Sequence, residues 1–222
     1  MSRRRAPSTG ARPPCTMIDS GCSQSTTLKN FRLKLEELVS SDSKLRPFVC
    51  DGSPLEHRSG GFIVGFNPAT QLQAPFWHYW CDSRGFKKDI YLQDFLHEWG
   101  RYTRTRKRIE TIIQIADQKI LDTNIYAYPT KRASELSKEH KTKGVLKFLL
   151  REIHPKIILA HGRRACQFFE RLCGIERKGA LQEATLNGRQ CLFLCSRHLC
   201  LISDEQVRSI GQTFAAVLGR EQ

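Results

Sequence analysis

Residues 60–68 read Gly-Gly-Phe-Ile-Val-Gly-Phe-Asn-Pro, a short apolar run that starts after two glycines and stops at an Asn-Pro pair. Such a run is typical of a strand buried on both faces, here residues 62–66. The Asn-Pro pair predicts a loop directly after the strand. Similar runs predict three more strands, at residues 119–126, 156–160 and 190–194.

Helical patterns separate these strands. We expect two short helices around Gly85 within residues 76–99, and longer helices at residues 28–41, 103–117, 142–153, 163–172 and 204–218. Thr27 and Ser203 are the expected N-caps of the first and last helices. Strands that alternate with helices form parallel sheets covered on both faces. We therefore predict an α/β fold with three layers, α/β/α, around a mostly parallel, four-stranded sheet. This domain would span residues 28–222, after a flexible basic tail at residues 1–27.

The charge balance favours a polyanionic partner. Lys and Arg number 36 against 22 acidic residues, a formal net charge of +14. Nucleic acid attracts such an excess through counterion release, and the alternatives are a solubility surplus or an anionic membrane surface. We expect DNA, double- or single-stranded, as the partner of an intracellular monomer. We expect no membrane span and no secretory signal, because there is no long apolar run and the first residues lack an apolar core.

The nine cysteines predict reduced thiols, since their number is odd and no Cys-x-x-Cys pair occurs. Cys191, Cys195 and Cys200 lie near His198, and such a set could hold zinc. However, a strand would space Cys191 and Cys195 about 13 Å apart. We therefore expect no metal.

Polar clusters follow all four predicted strands, at residues 67–70, 124–130, 161–164 and 195–200. In α/β folds the working site lies beyond the carboxyl ends of the strands. Asn67 could hold a water or a base edge, and Gly65 would let a ligand approach the backbone. The Asn124 amide matches the donors and acceptors of a pyrimidine edge. The alternatives are an Asn-Pro turn for Asn67 and a capping role for Asn124.

The last two clusters are basic. Gly162, followed by Arg163 and Arg164 at a helix start, is suited to binding a phosphate. The alternative is a plain strand-to-helix turn with surface arginines, which would have the same sequence pattern. His198 could donate a hydrogen bond to developing negative charge, and an exposed Leu199 could wedge into a duplex. A third basic group crowds the start of the 103–117 helix, where cations oppose the helix dipole. An outside anion or a solvated face would explain that group: Arg101, Arg104, Arg106, Lys107 and Arg108.

In their order and spacing, these motifs resemble the uracil-DNA glycosylase superfamily, most closely its mismatch-specific (G:T/U) branch. The similarity covers roughly residues 60–218. It is carried by Gly65 to Pro68, Phe76-Trp77, Gly85-Phe86, Pro129-Thr130, His154 to Ile157, and Gly162 to Ala165.

The resemblance implies hydrolysis of the N-glycosidic bond of uracil, or of a related mispaired or damaged pyrimidine in DNA, without a cofactor. Asn67 would position water and His198 would assist as the base departs. The base would contact Asn124 and the first-motif residues Gly65, Phe66 and Pro68, with Phe66 or Phe76 stacked on it. DNA would contact Gly162, Arg163, Arg164, Arg197 and Leu199.

The sequence also departs from the family pattern. The last motif has no Pro, the loop between Pro68 and Phe76 is short, and the cysteine pattern of the iron–sulfur branches is absent. Two alternatives therefore stand beside hydrolysis: a non-catalytic nucleic-acid-binding module of the same fold, and an enzyme acting on free nucleotides.

Overall fold

A computed structural model of the chain describes residues 27–41, 44–176 and 179–219. In these residues the α-helices are α1 Leu28–Glu36, α2 Lys88–Trp99, α3 Arg104–Ala116, α4 Gly144–Ile153, α5 Arg163–Cys173 and α6 Asp204–Leu218. The strands are β1 Phe48–Val49, β2 Gly61–Gly65, β3 Trp80–Cys81, β4 Gly85–Phe86, β5 Ile120–Asn124, β6 Ile157–His161, β7 Gln182–Leu186 and β8 Arg189–Ser196. Short 3₁₀ helices cover Pro54–His57, Phe76–Tyr79 and Leu199–Leu201.

The fold is α/β, and its central sheet is mixed, with six strands in the order β1-β5-β2-β6-β8-β7. The four predicted strands form its parallel centre, β5-β2-β6-β8. Our prediction of a four-stranded sheet is wrong because antiparallel edge strands, β1 and β7, flank that centre. β1 has only two residues, and exposed polar residues alternate along β7. The Asn187-Gly188 turn that joins β7 to β8, with both residues at positive φ, was a hairpin signal in the sequence.

Side chains of β2 point alternately to the two faces of the sheet. Phe62 and Val64 pack into a large aromatic core shared with α1, α4 and α5, whereas Ile63 packs into an aliphatic core with α3 and α6. All five residues of β2 are buried, as a strand covered on both faces requires. Helices on both sides of the sheet are compatible with a three-layer α/β/α arrangement.

Residues 76–99 differ from the two short helices that we predicted. They form a 3₁₀ turn, the β3–β4 hairpin and a single helix, α2. Gly85 adopts φ +89°, and a Cβ there would meet the Gly52 carbonyl oxygen at 2.6 Å. Only glycine allows the two backbones to approach this closely. The β3–β4 hairpin pairs with Gly52 through an isolated bridge at Phe86.

The two predicted N-caps are confirmed. Thr27 accepts a hydrogen bond from the Asn30 amide, and Ser203 forms a reciprocal capping box with Gln206. The first helix ends at Glu36, earlier than we predicted. None of the described helices is both long and apolar enough to cross a bilayer. Of the predicted tail, residues 1–26 lie outside the described residues.

Candidate functional site

A cavity of about 600 Å³ opens at the carboxyl ends of the parallel strands. Loops after β2, β5, β6 and β8 all contribute to it, so the four predicted clusters share one site. From those clusters the cavity is lined by Phe66, Asn67, Pro68, Ala69, Thr70, Asn124, Thr130, His161, Gly162, Arg163, Arg164, Arg197 and His198. Its volume is in the range typical of small-molecule sites.

Gly65 lets two polar side chains approach each other across the strand end. A Cβ at residue 65 would lie 2.5 Å from Asn124 Oδ1 and 3.1 Å from His161 Nε2. A side chain at residue 65 would therefore displace the Asn124 amide from its position beside His161. The neighbouring strands β5 and β6 therefore place an amide and an imidazole on either side of the glycine.

Asn67 is held in one orientation by its surroundings. Its Nδ2 donates to Thr130 Oγ1 at 2.8 Å, to the Thr130 carbonyl at 3.2 Å and to the Pro68 carbonyl at 3.1 Å. These contacts occupy the donor side of the amide and leave Oδ1 without a partner among the described residues. The oxygen is therefore available to accept a hydrogen bond from a bound water or ligand.

His198 is presented as a neutral hydrogen-bond donor. Its Nδ1 accepts from the Cys200 amide at 3.3 Å, which places the ring proton on Nε2. Burial lowers the pKa of His198, so the ring is neutral at pH 7. It lies edge-on to His161, with ring centroids 5.1 Å apart.

His161 is a site residue to which the sequence analysis gave no role. Its side chain is 5% exposed, and its Nδ1 has no hydrogen-bond partner among the described residues. Burial, with the nearby His198 and Arg106, lowers the pKa of His161 to about 3. The ring is therefore neutral, and its buried Nδ1 makes no hydrogen bond to the described residues.

Asp122 and Arg106 also line the cavity, and sequence reasoning missed their pairing. The Arg106 guanidinium donates to Asp122 Oδ2 at 2.7 Å, and both side chains are buried. Burial raises the pKa of Asp122, and the charge of Arg106 acts against that shift. A signal was present, because a carboxylate inside an apolar strand requires a buried partner.

Two arginines at the start of α3 are therefore structural, which corrects our expectation of an outside anion or a solvated face for this group. Arg106 also pairs with Glu110 at 3.2 Å. Arg108 is 5% exposed and donates to the Leu199 carbonyl and to Asp204. By contrast, Arg163, Arg164 and Arg197 line the cavity with exposed side chains.

Leu199 and Phe76 do not lie where we predicted. Leu199 is fully buried in the aliphatic core, so an exposed wedge at this position is wrong. The exposed apolar side chain beside His198 is Leu201, which is 59% exposed and lines the cavity. Phe76 is 5% exposed inside an aromatic cluster and does not line the cavity. Of the two candidate stacking rings, only Phe66 reaches it.

The described residues contain no group of three or more His, Cys, Asp or Glu side chains placed to hold a metal ion. Cys191 and Cys195 are buried in the sheet, while Cys200 Sγ lies 3.0 Å from His198 Nδ1.

No model of a known protein family matches this chain, and no curated protein matches it either.

Proposed function

We propose that this protein is a DNA glycosylase that hydrolyses the N-glycosidic bond of uracil, or of a related mispaired or damaged pyrimidine, without a cofactor. The observation that supports this best is that Asn67, Asn124 and His198 line one cavity, rimmed by exposed arginines. We further infer that it has a uracil-DNA glycosylase-like fold and acts as an intracellular monomer on DNA.

In this mechanism Asn67 orients the attacking water. An amide is not a base at neutral pH, so it cannot remove a proton. Because Thr130 and the Pro68 carbonyl hold Nδ2, Oδ1 can accept a hydrogen bond from a water in a fixed position. The water adds to the sugar carbon as the bond to the base breaks. The electron pair of that bond leaves with the pyrimidine, and the proton released by the water passes to bulk solvent. Catalysis therefore comes from positioning.

His198 stabilises the departing base. As the glycosidic bond breaks, the electron pair moves onto the pyrimidine and its carbonyl oxygen becomes more negative. The neutral His198 donates its Nε2–H to that oxygen, which is an oxyanion-type interaction. Asn124, beside Gly65, pairs with the edge of the base.

The target base must leave the duplex before it can reach the cavity. Phe66 is half-buried in the cavity wall, with Arg164 5.0 Å above its ring, and it offers the flipped base a stacking surface. Arg163, Arg164 and the N-terminus of α5 hold flanking phosphates. The exposed Leu201 takes over the wedge role that we had predicted for Leu199.

The test is incubation of the full chain with uracil-containing oligonucleotides, followed by alkali to cut abasic sites. U:G, U:A and single-stranded substrates should be compared. Asn67→Ala should slow excision by about a hundredfold, since a misplaced nucleophile costs about that much. His198→Ala should have an effect of similar size. Asn30→Ala, on the exposed surface of α1, is the matched control and should react like wild type.

Other outcomes would redirect the assignment. Wild type that leaves every substrate intact would refute the glycosylase proposal, and undiminished activity of Asn67→Ala would refute the mechanism. Salt-sensitive DNA binding without turnover would select a non-catalytic binding module. Tighter binding of free nucleotides than of DNA would select an enzyme acting on nucleotides.

A further inference from the structure

A second, smaller cavity of about 360 Å³ lies on the exposed flank of α5. Phe66 and Arg164 line both this cavity and the candidate active site, so the two cavities share a wall. We call the smaller one the flank groove and define it by Phe66, Tyr126, Lys143, Arg164, Phe168 and Arg171.

The flank groove is strongly basic. Lys143, Arg164 and Arg171 line it with exposed side chains, and no acidic residue does so. None of the three forms an ion pair with an acid in the described part of the chain. Arg164, Phe168 and Arg171 are four and then three residues apart on α5, which places them along one side of the helix. Unneutralised cations this close together favour an anionic ligand.

Aromatic rings alternate with these cations. Arg164 lies 5.0 Å from the centroid of the Phe66 ring, and Lys143 Nζ lies 5.2 Å from that of Phe168. Tyr126 packs edge-on against Phe66 at 5.1 Å. All three rings remain partly exposed. Flat rings interleaved with cations are the combination that binds single-stranded nucleic acid, through base stacking and phosphate contacts.

We propose that the flank groove binds an unpaired nucleobase of a single DNA strand, together with its phosphate, next to the nucleotide held in the active site. The choice of DNA rests on the proposed function. The groove is concave and its rings are only partly exposed. A base can stack on them only when it is unpaired and unstacked from its own duplex. The shared wall of Phe66 and Arg164 would let one strand occupy both cavities.

The test measures binding of the full chain to a fluorescein-labelled single-stranded oligothymidylate and to an undamaged duplex. Phe168→Leu keeps an apolar side chain but removes the aromatic face, and it should weaken single-strand binding about tenfold. It should leave duplex binding unchanged. Arg171→Ala should weaken single-strand binding several-fold and lower the salt slope by about 0.7. Arg208→Ala removes the same charge from α6, on the opposite face of the sheet, and serves as the matched control.

The outcomes separate this inference from the proposed function. Loss of single-strand affinity in both groove variants, but not in Arg208→Ala, supports the groove even if wild type excises no base. Unchanged single-strand affinity in the groove variants overturns it, even if wild type removes uracil. An equal loss of duplex affinity in Phe168→Leu also overturns it, because stacking with an unpaired base would then not be the cause. Thermal unfolding of each variant, compared with wild type, excludes a folding defect as the source of any loss.

Discussion

Two helices of this protein begin with clustered arginines, and the two clusters have different roles. At the start of α3, Arg106 and Arg108 are buried and paired with acids from β5, α3 and α6. At the start of α5, Arg163 and Arg164 are exposed and have no acidic partner in the described residues. Arginine near the start of a helix thus holds the fold together in one case and is available to a ligand in the other.

The two clusters differ in exposure because only the α3 arginines lie beside a buried acid. α3 packs its first turn over β5, where Asp122 lies inside the sheet and needs a counter-charge. The first turn of α5 instead faces the cavity at the strand ends. Gly162 precedes it at φ +85°, and a Cβ there would lie 3.3 Å from the His198 ring. The backbone turns sharply at this point, and the two arginines that follow line the cavity with exposed side chains.

The largest expected effect is the loss of stability on removing a buried arginine. Arg106→Ala would leave Asp122 buried without its partner, and the free energy of unfolding should fall by about 3–5 kcal/mol. The exposed Arg104→Ala in the same turn should change it by less than about 0.5 kcal/mol. Urea-induced unfolding measures both. Equal loss of stability in the two variants would contradict the claim that pairing with Asp122 makes Arg106 structural.

A double variant sharpens this prediction. Arg106→Met combined with Asp122→Leu removes both charges and keeps the volume, so it should recover most of the lost stability. Failure to recover would mean that packing of the guanidinium, rather than charge pairing, accounts for the loss.

A smaller effect concerns the histidine in front of α5. His161 has a pKa of about 3 in the fold, against about 6.5 in the unfolded chain. As the pH falls, His161 takes up a proton in the unfolded chain before it does so in the fold. The stability associated with the neutral, buried His161 is therefore fully present above about pH 6.5 and is lost progressively towards about pH 3. His57, whose pKa burial lowers to about 4, acts in the same direction.

The slope per histidine is at most about 1.4 kcal/mol per pH unit. His161→Gln should flatten the decline in stability below about pH 6.5 by roughly that amount. The contributions of His57, His154 and His198, whose pKa values are also lowered, would remain. Urea midpoints measured between about pH 7 and pH 4 provide the comparison. An unchanged slope would show that His161 is not buried as a neutral ring.

The smallest effect on stability is expected at α5 itself. The double variant Arg163→Ala/Arg164→Ala should unfold within about 0.5 kcal/mol of wild type. Its affinity for DNA should fall about tenfold or more at low salt, with a salt slope lower by about 0.9 for each lost phosphate contact. Fluorescence anisotropy across a salt series measures this. Full affinity in the double variant would mean that phosphates bind elsewhere.

The elements that could be predicted from the sequence are those with a strong local pattern. The parallel centre of the sheet and the last helix follow from apolar runs and caps, and α6 has the predicted bounds. The edge strand β1 has only two residues, and β7 has exposed polar residues at alternate positions, so neither carries a long apolar run. The β3–β4 hairpin depends on contact with Gly52, far away in the sequence.

The same limit applies to the site. Asn67, Asn124 and His198 could be identified because each follows an apolar strand, and strand ends meet at one edge of a parallel sheet. His161 ends β6 as Asn124 ends β5, but its role could not be predicted, because its burial depends on the neighbouring Gly65 and His198. Leu199 and Leu201 have identical side chains two residues apart, and only packing against α3 and α6 buries the first and exposes the second.

The sequence by itself determined the alternation of strands and helices, the excess of positive charge and the placing of polar residues after strands, because these depend on local periodicity and composition. The tertiary structure decided which arginines are neutralised, which rings reach the cavity and which leucine is exposed. Those outcomes depend on the burial of groups that are distant in the chain, and burial sets the cost of every unpaired charge.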